Sequence, residues 1–154
     1  MNTGIVRGNR VESNDFSGVT NLESLATGSG SLVYDLDWIA YTPTVTAQTG
    51  TITTVSVATN AAFRRQGTAI QWRAFVKITT NGTGAGAIKV SLPASGKSIT
   101  NGGSVAGREN AITGLSVAGY FSDFTAQIFF YDNTYPGGNG REFALSGLYE
   151  RVAA

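Results

Sequence analysis

The sequence predicts an all-β protein: an antiparallel β-sandwich, jelly-roll-like, with an extended N-terminal arm. Three observations carry this prediction. The first is the alternation across 60–93. There Ile70, Trp72, Ala74, Val76 and Ile78 fall on one face of an extended chain, and Gln71, Arg73, Lys77 and Thr79 fall on the other. A side-chain period of two with one wet face is the pattern of an antiparallel sheet lying on a core. The second is composition: 20 Gly, only 3 Pro, and many Thr, Ser, Val and Ala, a profile of strands and turns rather than helices. The third is punctuation, with turn signals roughly every 8–14 residues, which divides the chain into about seven to nine short strands.

The elements follow in order. Residues 1–34 are polar, with Leu22, Leu25, Leu32 and Val33 as scattered apolar anchors. Asn21 is placed to cap a short helical turn that Gly28 and Gly30 stop, so this segment reads as an extended arm. Residues 35–154 form the β-sandwich domain. A first strand covers 41–46, with Pro43 near its start in an edge-compatible position. Gln48, Thr49 and Gly50 turn the chain into a Thr/Val-rich strand over 51–59. A tight turn at Gly67 leads to the long strand. The glycine-rich NGTGAG at 81–86 reads as a hairpin loop before Ile88, Val90 and Leu92 resume the apolar face. ASGKSITNGG at 94–103 reads as loop, and 105–117 as one or two short strands. A strand over 124–131 buries Ala126, Ile128 and Phe130. A Gly-rich loop at 134–140 precedes a final strand over 141–152.

Composition narrows function. A length of 154 residues suits one domain with a real core. Eleven basic and ten acidic residues leave a net charge of +1, so no nucleic-acid or anionic-membrane partner is implied. No apolar run reaches the roughly 20 residues of a membrane span, and the first residues are too polar for a signal peptide. A soluble protein made in the cytoplasm is expected. With no Cys there is no disulfide, thiolate site or cysteine nucleophile, and with no His there is no Ser-His-Asp triad or histidine metal ligand. No cofactor is implied, and the expectation is a non-enzyme.

Candidate sites follow from residues that break the pattern. Phe75 intrudes on the wet face of its strand. Phe129 and Tyr131 lie opposite Ala126, Ile128 and Phe130, so that strand is apolar on both sides. A strand buried on both faces needs a second packing surface, so Phe75, Phe129 and Tyr131 are candidate subunit-interface residues. Arg64 and Arg65 join them, one to meet a carboxylate at the interface and the other to be solvated. Tyr131 and Tyr135, beside the loop at 136–140, are the alternative reading, a platform for stacking on a glycan. The loop at 81–86 lacks the Lys-Ser/Thr of a phosphate loop. Asp35, Asp37 and Asp132, with Asn133, are the acids from which a Ca²⁺ site or a polysaccharide hydrolase would have to be built.

The pattern W-x-x-Y-T-P-T-V-T-x-x-x-G-T-I-T at 38–53, F-R-R-x-G-T at 63–68, N-G-T-G-A-G at 81–86 and V-S-L-P at 90–93 resembles a β-sandwich domain of tailed-bacteriophage structural proteins. The resemblance covers about 38–150 and leaves the arm outside it. It implies a virion protein assembled in the host cytoplasm, commonly a homotrimer, placed as a capsid decoration (cement or head-fibre) protein or at the end of a tail fibre or spike. The short arm favours direct docking on a shell, with 1–34 binding the major capsid protein across capsomer junctions. Apolar burial worth roughly 25 cal/mol per Å² would strengthen that seam. The alternative is a tail protein whose receptor-binding domain recognises a host surface glycan.

Overall fold

The computed structural model describes residues 37–57, 61–93 and 98–151; the predicted arm at 1–34 lies outside them. Ten strands form among the described residues: β1 (Ile39–Ala40), β2 (Val45–Thr49), β3 (Thr54–Val57), β4 (Ala62–Gln66), β5 (Ala69–Thr80), β6 (Ala85–Ser91), β7 (Ser98–Glu109), β8 (Ser116–Ser122), β9 (Thr125–Phe130) and β10 (Arg141–Arg151). All pair antiparallel along the path β1-β4-β5-β10-β7-β8-β9-β6-β2, with β3 on β5. The long β5 gives one edge to β10 and divides the other, β4 pairing with Ala69 to Arg73 and β3 with Val76 to Thr80.

The all-β antiparallel expectation holds, but the strands follow one continuous ladder rather than the two separate sheets of a jelly roll. That ladder curls into a half-barrel. The rings of Trp72 on β5 and Phe121 on β8 meet edge-on at 5.7 Å although two strands lie between them. Phe121 also packs on Tyr149 at 4.6 Å. Alternation explains which face turns inward: along β5 Ile70, Trp72, Ala74, Val76 and Ile78 are all buried, and along β9 so are Ala126, Ile128 and Phe130. Each large side chain removed from water contributes about 1.5–3 kcal/mol, and no other choice of face buries this set.

The two ends of the ladder return toward each other because β1 and β2, at opposite ends of the strand order, are joined by only 41–44. Tyr41 stitches this seam. Its amide donates to the Ala61 carbonyl at 3.0 Å, its hydroxyl donates to the Ser91 carbonyl at 3.1 Å, and the Trp72 indole N–H donates to its hydroxyl. Burial pushes the Tyr41 phenol up to about 12, the Trp72 hydrogen bond pulling the other way.

Two expectations need correction. The loop at 81–86 is not a hairpin, since β5 pairs with β3, β4 and β10, whereas β6 pairs with β2 and β9. It carries the chain across the mouth of the half-barrel, and other loops hold it there. Thr83 donates its amide to the Thr51 carbonyl at 3.1 Å, and Tyr135 donates its hydroxyl to Asn81 Oδ1 at 2.6 Å. Nor is 94–103 all loop, because β7 begins at Ser98. One glycine that suggested a loop, Gly103, serves close packing: a Cβ there would sit 2.1 Å from the Leu148 carbonyl oxygen of β10.

Candidate functional site

The inner face is filled by the core, which leaves the outer face and the loops at the mouth as the surfaces open to solvent. Register places the outer side chains in rows across the sheet. One row runs Phe75, Ala144, Arg108 and Ser116; the next runs Arg73, Ser146, Ala106, Ala118 and Phe129. The second row is therefore floored by Ala and Ser between Arg73 and Phe129, whereas Arg108 stands in the middle of the first. Phe75 on β5 and Phe129 on β9 are four strand spacings apart, roughly 19 Å along the sheet. The predicted interface residues thus form two regions rather than one patch.

The first region lies on β4 and β5. The two-residue turn at 67–68 sets the register Arg64↔Gln71 and Ala62↔Arg73, so Arg64 and Arg73 become diagonal neighbours on the outer face. Trp38, immediately before β1, crosses both. The Arg73 guanidinium lies 4.3 Å and the Arg64 guanidinium 5.1 Å from its ring centre. Each stack is worth about 0.5–1 kcal/mol at an exposed site. Arg64 Nε also donates to Gln71 Oε1. Together with Ser146 and Leu148 these residues border a groove of about 400 Å³. Leu148 is 51 % exposed beside it. Arg65 takes the opposite direction: it pairs with buried Ile70 and points to the inner face.

The second region lies on β8 and β9. Tyr120 and Phe129 stack with ring centres 6.2 Å apart and planes 23° apart, and Tyr120 donates its hydroxyl to Gln127 Oε1 at 3.2 Å. Tyr131, just beyond β9, is 74 % exposed. With Asn133 these rings line a smaller groove of about 290 Å³. Tyr135 does not join them. It is half-buried against the core, and its hydroxyl is taken by Asn81, whose amide N–H bonds Asn139 Oδ1 at 2.7 Å. Its role here is to lock the mouth loops together.

Glu109 was not anticipated. It is the one fully buried charged residue among those described. Its carboxylate accepts the amide N–H groups of Ala111, Ile112, Thr113 and Glu142 and the Thr113 hydroxyl, shaping the β7–β8 loop. Burial pushes the carboxyl up, but the bonds from Thr113, Ala111 and Glu142 outweigh it and hold the group at about 2. Of the suspected acids, Asp132 spends its carboxylate on the Thr134 amide and hydroxyl, which lower its pKa. Asp37 is exposed and Asp35 lies outside the described residues. No cluster of three metal-ligating side chains occurs among the described residues.

The curled sheet is similar to the crystal structure of the Dettilon tailspike protein, gp208, with a TM-score of 0.57 and 12 % sequence identity over 75 % of this chain. The likeness spans 24 % of the tailspike chain, so it concerns one portion of that protein and, at this identity, the fold. No family model matches the chain, and no curated protein matches it.

Proposed function

We propose that this chain is a non-enzymatic structural protein of a tailed-phage particle, a module of the kind borne by tail spikes and fibres. The observation that carries the reading is the likeness of its curled sheet to part of a tailspike. It accords with the motifs at 38–53, 63–68, 81–86 and 90–93. Capsid decoration, the first expectation from the sequence, rests on the segment 1–34, outside the described residues, so the spike or fibre reading stands ahead of it. In this reading the sheet is a rigid scaffold with loops locked by Tyr135, Asn81 and Glu109. Its outer face meets copies of itself in a homotrimer and other virion or host-surface molecules.

Immunogold labelling of purified particles tests the placement. Label at the tail is expected. Label spread over the head would return the protein to capsid decoration, and particles without label would overturn the virion reading altogether.

A further inference from the structure

We infer that the groove bordered by Trp38, Arg64, Arg73, Gln71, Ser146 and Leu148 binds an anionic saccharide, one bearing a carboxylate or phosphate group, which rests on the proposed surface role. Two guanidinium groups, from diagonal neighbours on β4 and β5, are each held over the same indole at 5.1 and 4.3 Å, a geometry that restrains both before any ligand arrives. Gln71 takes only the Nε–H of Arg64, and the remaining N–H groups of a guanidinium form the fork that matches a carboxylate or phosphate. The walls suit a sugar ring. Gln71 and Ser146 offer hydrogen bonds to hydroxyls, and Leu148, 51 % exposed, offers a surface for C–H groups. At about 400 Å³ the groove has the size of a small-ligand site. With two arginines in the groove and a net charge of +1 on the chain, the groove is too weakly charged to hold a nucleic acid.

The site is distinct from the tyrosine platform expected from sequence. Trp38 also supplies a reporter, since the second tryptophan, Trp72, is buried in the core. Tryptophan emission of the full chain would be followed while adding four probes: trigalacturonate, a phosphorylated trisaccharide, the neutral trigalactoside and inorganic phosphate. Saturable change with one or both charged saccharides is expected, and which of them binds identifies the anion. Affinity should weaken about tenfold or more in Arg73→Gln and fall with added salt. Arg108→Gln, an arginine elsewhere on the same face, should leave it unchanged and controls for folding.

Equal response to the neutral trisaccharide would overturn the inference. So would equal response to phosphate alone, no response to either charged saccharide, or undiminished binding in Arg73→Gln. These outcomes are separable from the virion reading, which particle labelling decides independently.

Discussion

The two regions of the outer face are built by opposite means. Around Trp38 the structure is made by side chains: β1 is only two residues long, and two guanidinium groups stack on the indole that precedes it. Around Tyr120 and Phe129 it is made by backbone, because β8 and β9 pair without interruption from Val117↔Phe130 to Ser122↔Thr125 and the rings stack on that ladder. A region built by side chains can be dismantled one residue at a time and leave the sheet intact. A region built by backbone fails only when the ladder fails.

The strongest way to break this contrast is at Gly119, where an added Cβ would lie 1.8 Å from the Gln127 carbonyl oxygen of the neighbouring strand. Gly119→Val is expected to cost more than about 4 kcal/mol, because backbone rather than a flexible side chain must move. Denaturant unfolding measures this, and a loss under about 1 kcal/mol would show that the β8–β9 ladder is more compliant than described.

Glu109 is next. Glu109→Ala removes the acceptor from four amide N–H groups and should cost about 3 kcal/mol. The pH dependence has a definite sign. The folded carboxyl sits at about 2, below its ordinary 4.5, so its contribution is complete above about 4.5 and is lost as pH falls toward 2. Melting temperatures measured across that window should fall in the native protein and fall less steeply in Glu109→Gln.

Trp38→Ala should cost only about 1–2 kcal/mol, the sum of two stacking contacts, and leave the far side of the sheet unchanged. Chemical-shift or hydrogen-exchange mapping would show whether changes stay confined to β1, β4 and β5. Spread to β8 and β9 would mean that the two regions are coupled. Tyr131→Ala, at a side chain 74 % exposed, should alter stability by under about 0.5 kcal/mol. If the same change shifts the mass seen by light scattering from a trimer to a monomer, Tyr131 belongs to the subunit interface expected from its position.

How much of this was legible depends on the range of the interactions. Inward and outward residues of β5, β6 and β9 follow from alternation, which is local. The contact of Arg64 with Gln71 could have been counted from the sequence, since a two-residue turn at 67–68 fixes every pair before and after it. Trp38 was visible only as a domain start, because its partner Arg73 is reached through two strand pairings. The passage of 81–86 across the mouth was not legible, because a glycine-rich loop between alternating strands has the local chemistry of a hairpin. The strand at Ser98 was hidden by the glycines that follow it, one of which, Gly103, lies close against β10. Glu109 reads as an ordinary surface acid until the loop after it folds back. Phe75 and Phe129 both announced an apolar intrusion, but alternation within one strand carries no information about which intruders share a patch.

The central claim is that the outer face is the working face, and hydroxyl-radical footprinting of the protein on intact particles and in isolation tests it most directly. Oxidation of at least one set, either Trp38 and Leu148 or Tyr120 and Tyr131, should be lower on the particle, while buried Trp72 and Tyr149 stay protected in both. Equal oxidation of all four outer residues in the two states would contradict the claim and leave the loops at the mouth as the contact surface.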